Sequence, residues 1–296
     1  MKKLLFAFSL LIVLVVTASA IPINYVYQKT FAATDIFPAG VATNGNDLFC
    51  VGGYSLIRWN ISTGGRIYTT NTGKPATDVD VDKGNYQIYV AKIDANYTEG
   101  QCYGYAGNPL FTYISKPLVK YYGSVAVDDG YNVYLLGEQG QIIFRYSNGG
   151  GNHNYYKGYS IAYPRGLESW KDPNTTAWHL YISDTNNCRI LRVSVSGNTL
   201  SDPNLTINLP PGIKPYGAGL SKNYGELFVA CSDGKVRQYN GVTGAYIRAF
   251  GGSPYMAQPQ DVAVSADGLY VYVAEKDPTF NSTIRGVTQW KKIVGF

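Results

Sequence analysis

Residues able to do chemistry are sparse in this 296-residue chain, and the sparseness is informative. It has two histidines, His153 and His179, and four cysteines, Cys50, Cys102, Cys188 and Cys231, none of them in a C-x-x-C pair. A three-histidine zinc centre is therefore out of reach, and a thiolate zinc site lacks its usual spacing. No G-x-S-x-G elbow, P-loop or dinucleotide fingerprint occurs, so serine-hydrolase and nucleotide chemistry have no signature. Three sets of residues remain. Asp80 and Glu168 interrupt short apolar runs and carry hard oxygen donors of the kind calcium takes. Tyr122, Arg165, Tyr216 and Gln260 each end a polar or proline-containing step just before a short apolar segment, and Tyr and Arg are common anchors of recognition surfaces. The run Asp184-Thr185-Asn186-Asn187 resembles a metal loop, yet Asp and Asn side chains also bond the backbone of tight turns, and the turn role is the better reading.

The elements that must position these residues are strands. The chain has 27 Tyr, 33 Gly and 14 Pro with only 15% charged residues, a composition suited to pleated, half-buried surfaces punctuated by many turns. An aliphatic–aromatic pair recurs six times: Leu48-Phe49, Ile88-Tyr89, Val133-Tyr134, Leu180-Tyr181, Leu227-Phe228 and Val271-Tyr272. The steps between its aromatic members are 40, 45, 47, 47 and 44 residues, the period of a propeller blade. A shorter strand precedes each pair, and on it Asp80 and Glu168 hold a place where the other four units have Ala or Gly. A third strand follows each pair and ends in a related step: Arg58-Trp59, Gly104-Tyr105, Arg145-Tyr146, Arg192-Val193, Gln238-Tyr239 and Gln289-Trp290. The last unit stops soon after its third strand, and Asn24 to Phe31 has the pattern of the missing fourth. The expected architecture is all-β: a six-bladed β-propeller of four-stranded antiparallel blades, closed by an N-terminal strand that completes the last blade.

The segment His179 to Ser194, HLYISDTNNCRILRVS, resembles the core of the NHL repeat: an apolar strand, a D-T-x-N-x-R-I turn and a second apolar strand. Residues 262–274 also resemble the YVTN-type propeller repeat, which is a blade signature and not a catalytic one. The resemblance implies a ring whose ligands gather at one mouth of the central channel, where Tyr122, Arg165, Tyr216 and Gln260 form a rim. Among enzymes of this shape, gluconolactonase-like and paraoxonase-like propellers hold a central calcium with Glu, Asn and Asp, which gives Asp80 and Glu168 a metal-binding reading. Their opposite neighbours, Gly219 and Ala263, supply no further ligand.

Residues 1–20, with Lys2 and Lys3, the apolar run Leu4 to Val16 and Ala18-Ser19-Ala20, form the three zones of a secretory signal peptide. Residues 21–296 then make the propeller, with no second apolar segment to span a membrane. Cleavage leaves 23 basic against 20 acidic residues, a net charge of +3, too weak and dispersed to point to nucleic acid. In an oxidising compartment the cysteines are expected to pair, and blade positions suggest Cys50–Cys102 and Cys188–Cys231. Five N-x-S/T sequons, at Asn60, Asn96, Asn174, Asn204 and Asn281, are expected in turns or linkers and make the chain a candidate glycoprotein.

With intact blades and no assembled catalytic set, the sequence reads as a secreted module that binds an extracellular protein or glycan, without a cofactor. The alternative is a calcium-dependent lactonase or related hydrolase. A third reading is a structural protein that self-assembles through Tyr-rich faces.

Overall fold

The computed structural model describes residues 23–294, apart from residues 34, 83, 85, 94–97, 115–122, 138–141, 148–152, 158–159, 198, 253 and 277–284. The proposed signal peptide, Tyr122, Asn96 and Asn281 lie outside the described residues.

Six antiparallel sheets follow one another along the chain. Their innermost strands are Gly40–Thr43, Ala76–Val81, Gly123–Val127, Gly166–Lys171, Pro215–Ser221 and Pro259–Val264, and each touches its two neighbours around a closed ring. Five blades take all their strands from consecutive chain; in the fourth, two short pieces, Thr199–Leu200 and Leu205–Asn208, share the outer position. The sixth consists of Pro259–Val264, Tyr270–Glu275 and Gly286–Val294, with Ile23–Ala32 as its outer strand. Pairing runs from Ile23 opposite Val294 to Ala32 opposite Gly286, so the expected closure by the N-terminal strand is present.

The recurring pair is explained by strand alternation. Successive side chains point to opposite faces of a blade, so an adjacent aliphatic and aromatic residue serve both of its interfaces at once. Leu48 packs in the wedge between blades six and one, and Phe49 in the wedge between one and two. The same holds around the ring: Ile88 and Tyr89 divide between the wedges before and after blade two, as do Leu180 and Tyr181 about blade four and Val271 and Tyr272 about blade six. Each of these side chains is at most 2% exposed. Burial of this kind contributes roughly 1.5–3 kcal/mol per large apolar side chain, and here every contribution is an inter-blade contact.

A second repeated device fastens the rims. On the third strand, Arg58 donates to the Tyr105 carbonyl of the next blade at 2.8 Å, Arg145 to Gly197 at 3.1 Å, and Arg192 to Gly241 at 3.1 Å. In blade six the register puts Gln289 there, and Lys29 opposite it on the closing strand reaches Ile61 at 2.9 Å instead. Blade two has Cys102 opposite Tyr89, so its third-strand step is Cys102-Tyr103 and not the Gly104-Tyr105 expected from sequence. The stretch of chain from Tyr89 to its partner Cys102 is longer than that from Phe49 to Arg58, which moves the step along the sequence.

The same alternation corrects the disulfides: all four cysteines are free, and none lies at bonding distance from another. Cys50 follows Phe49 directly and so faces blade six, whereas Cys102 faces blade three. The two thiols therefore point away from one another across two blades. Cys231 is fully buried facing blade four, in the cluster that also holds Leu209. Cys188 ends a 3-10 turn with a left-handed φ of 53°, and its carbonyl accepts the Leu209 N–H, so an apolar side chain fills the wedge where a bridge was expected. Burial pushes the Cys102 thiol up to about 12 and that of Cys231 to about 11, which makes both poor nucleophiles. Of the described sequons, Asn174 and Asn204 lie in turns, while Asn60 ends a strand, Ser55–Asn60.

Tyr25 of the closing strand is 3% exposed, stacks on Phe250 at 4.6 Å and donates its hydroxyl to the Gly268 carbonyl at 3.0 Å. Tyr25→Ala is expected to cost about 3–5 kcal/mol of unfolding free energy in a urea titration, as for other large-to-small changes in a core. A cost near zero would mean that the closing strand carries no part of the sixth blade's packing.

Candidate functional site

In blades four, five and six the end of the second strand and the turn after it hydrogen-bond the loop that leads into the same blade. In blade five Ser232 takes both ends of Lys214, its N–H donating to the Lys214 carbonyl at 2.9 Å and its hydroxyl accepting the Lys214 N–H at 2.9 Å. In blade six Glu275, 2% exposed, accepts the N–H groups of Ala257 and Gln258. Blade four makes the clearest case, because the turn is the D-T-N-N-C-R run. Asp184 is fully buried, accepts the Ala162 N–H at 2.7 Å, and is held by Asn187 and by Arg189 at 2.6 Å. Asn187 and Arg189 also donate to the Ser160 carbonyl. Asp184 and its neighbours are thus a clamp on residues 160–165, the loop that ends in Arg165, and the turn reading of this motif holds.

Clamped in this way, the residues opening the six innermost strands meet around the mouth: Ala39, Thr77, Gly123, Arg165, Tyr216 and Gln260. They line one cavity of about 370 Å³. Three of the four expected rim residues are therefore brought together; the equivalent place in blade three belongs to Gly123, one residue after Tyr122. The Arg165 guanidinium lies 5.1 Å over the Tyr216 ring. Small residues on blades one to three leave space, and larger ones on blades four to six wall it.

One step down, the ring reads Gly40, Asp78, Ser124, Gly166, Gly217 and Asp261. The innermost strands have a free edge toward the axis, and these side chains cap its N–H groups. Asp261 accepts the Val41 N–H at 2.8 Å and Asp78 that of Val125 at 3.0 Å. Leu167 donates to the Ser124 hydroxyl, which donates in turn to Asp78, so blades four, three and two are joined. A Cβ at Gly217 would collide with Asp261 and one at Gly40 with Asp78, so a glycine precedes each of these two carboxylates around the ring. The lumen here is about 40 Å³, room for a few waters at most. In that confined space burial raises the Asp78 carboxyl to about 7, against its hydrogen bonds, and burial with the nearby Asp78 charge raises Asp261 well above the carboxylate range.

Lower still, Asp80 and Glu168 stand opposite Tyr89 and Tyr181 at the place where other blades have Ala42, Ala126, Gly219 and Ala263, as the repeat indicated. Asp80 accepts the N–H groups of Val81 and Val127, each at 2.7 Å. Glu168 pairs with Lys222 at 3.6 Å. Burial works against the Lys222 charge, but Glu168, Asp80 and Asp129 outweigh it and hold the ammonium above its ordinary range. Lys222 went unnoticed in the sequence because it stands just past the strand end. It supplies the positive charge those carboxylates would otherwise draw from a metal, and among the described residues no group of three or more His, Cys, Asp or Glu is placed to hold one.

No family model matches the chain, and no curated protein does. Solved structures do. The PQQ-bound form of aldose sugar dehydrogenase from Streptomyces coelicolor is 15% identical, with 93% of this chain and 100% of that one covered at a TM-score of 0.67. Luciferin-regenerating enzyme is 12% identical, with 88% and 94% covered at a TM-score of 0.62. Such likeness at this identity shows the propeller fold alone, and it joins the chain to a shape that enzymes also use.

Two outcomes test the geometry. The native Asp78 carboxyl, near 7, holds its proton where an unfolded aspartate, near 3.9, has lost it, so between about pH 4 and 7 the native state binds more protons and stability falls as pH rises. Asp78→Asn should flatten that decline in melting temperature between pH 4.5 and 7.5, and a parallel curve would remove Asp78 as its source. Asp184→Ala, which leaves Ala162, Asn187 and Arg189 without their acceptor, should cost about 3–5 kcal/mol by chemical denaturation, as for other broken buried pairs.

Proposed function

We propose that the protein is a secreted, NHL-like propeller that binds an extracellular protein or glycan at the mouth walled by Arg165, Tyr216 and Gln260. One observation carries this reading: the six residues opening the innermost strands form a single cavity that is small-sided on one half and walled by recognition residues on the other. Ligand sites of this kind are concave, largely preformed and carry a few convergent polar groups, and about 370 Å³ is within their usual range. Beneath the cavity the described polar side chains hold blade to blade, and the hydroxyl that stands beside a carboxyl there, Ser124 on Asp78, also accepts the Leu167 N–H and is tied into the seam. Secretion is part of the proposal and rests on the leader-like residues 1–20.

The test is capture on arrays of extracellular glycans and peptides by the purified chain. Arg165→Gln should abolish capture while the melting temperature stays within about 2 °C, since its side chain lies outside the core clusters, whereas Tyr216 packs against the cluster between blades five and six and is left in place. Unchanged capture, or loss of folding in its place, overturns the proposal. For the competing calcium-dependent hydrolase, a millimolar calcium titration followed by chelator should leave the melting temperature within about 1 °C, because Lys222 already neutralises Glu168. A calcium-induced rise that disappears in Asp80→Ala would favour that hydrolase instead.

A further inference from the structure

At the end of the ring opposite the mouth, a hollow of about 690 Å³ lies between blades six and one. The turns that follow the innermost strands of blades six, five and one border it through Asp267, Asn223 and Gly45. One side is the face of blade six turned toward blade one, where Tyr272 and Gln289 stand opposite each other on neighbouring strands.

The residue type at Gln289 accounts for the space. At the position paired with the recurring aromatic residue, blades one, three and four carry Arg58, Arg145 and Arg192, and each arginine crosses to a carbonyl of the next blade. Gln289 is the shorter residue at that position in blade six, and its amide stops at the Tyr272 hydroxyl, 3.3 Å away. Tyr272 is 2% exposed and Gln289 6%, and this contact is the one hydrogen bond of either side chain among the described residues. Whichever way the amide is turned, both groups keep donors or acceptors unused, and polar groups so buried are costly to leave unpaired.

Around them the lining mixes chemistries. Asp267 accepts the Ser265 hydroxyl at 2.6 Å and the Leu269 N–H at 3.0 Å through one carboxylate oxygen. Lys29 crosses to the Ile61 carbonyl at 2.9 Å, and the exposed Lys291 holds its ammonium 5.9 Å over the partly buried Tyr270 ring. Charges of both signs thus share one space, where an anion or a cation alone would meet repulsion as well as attraction. Hydroxyl groups suit it better, since they donate to carboxylate and amide oxygens and accept from ammonium and amide N–H groups. A tyrosine ring suits the apolar face of a sugar, and the volume is that of a small-molecule site.

We propose that this hollow is a second binding site, separate from the mouth, that takes a neutral saccharide whose hydroxyls pair with Gln289 and Tyr272. Calorimetric titration with cellobiose, maltose and lactose as neutral probes, and with glutamate and hexanoate as charged ones, tests it. At least one neutral disaccharide is expected to bind at millimolar concentration, weakened about tenfold or more by Gln289→Arg, which gives blade six the residue that spans the wedge elsewhere. Should Gln289→Arg fail to fold, Asn223→Ala combined with Lys291→Ala, which removes only exposed groups of the rim, is expected to weaken binding about threefold or more. No binding of any neutral probe, equal binding of glutamate or hexanoate, or binding unchanged in these variants overturns the proposal. Disaccharide binding that is lost with Arg165→Gln and kept with Gln289→Arg seats the sugar at the mouth, which overturns the second site and leaves the proposed function standing.

Discussion

The hydrogen bonds between Ile23–Ala32 and Gly286–Val294 are the constraint on which the rest of the molecule depends. Without them the sixth blade would have three strands and an open edge, and the wedges between blades five, six and one would lose Tyr25 and Phe31. Because the first and last strands pair, neither terminus can shift independently, and the strain of closing a ring is spread over six similar interfaces. The innermost strands then sit at fixed angular positions, and whatever their first residues carry is presented to a common space.

Around that ring the polar side chains near the axis have structural work. An innermost strand exposes N–H groups that no other strand can pair, and unpaired backbone groups in a confined lumen are costly. Asp261, Asp78, Asp80 and Ser124 cap them across blade boundaries. The chain accepts carboxyls with raised proton affinity in exchange for a sealed axis. The outer seam shows the same logic with cations: Arg58, Arg145, Arg192 and Lys29 each hold a carbonyl of the following blade. Gln238 stands at the corresponding place facing blade six, whose outer strand is Ile23–Ala32 and not a segment following Gly286–Val294; its side-chain amide is fully buried and finds no partner among the described residues.

How much of this was legible in the sequence follows from what periodicity encodes. A two-residue alternation forces Leu48-Phe49 and its five repeats to serve opposite faces, so blade number, closure and the shared place of Asp80 and Glu168 could be read from spacing. Facing direction had to be applied residue by residue to be useful for the cysteines. Cys50 and Cys102 belong to neighbouring blades, yet one position of parity sends them to opposite sides of the pair. Hairpin length varies from blade to blade with no local signal, which is why the third-strand step of blade two falls at Cys102-Tyr103 and not at Gly104-Tyr105. Lys222 was missed because charge neutralisation within the channel depends on which turn folds back over which strand, a tertiary fact with no local signal.

The site itself grows out of the family-like motif by a chain of support. Asp184 is buried and anchored by Arg189 and Asn187, which fixes the Ala162 N–H; the loop so fixed ends in Arg165, and Arg165 lies on Tyr216 of the next blade, whose own approach is held by Ser232. The links to Asn187 and Arg189 are local to the turn, and the others join separate segments: Ala162 to Asp184, Arg165 to Tyr216 and Lys214 to Ser232. A ring of identical blades would present six equal residues and a symmetrical mouth. Here Ala39, Thr77 and Gly123 open one half while Arg165, Tyr216 and Gln260 close the other, so the cavity has a direction, and a ligand held there is bound from one side by side chains whose orientation was set before it arrived. That preorganisation is maintained by clamps such as Asp184, which fix the loop leading to Arg165 before any ligand arrives.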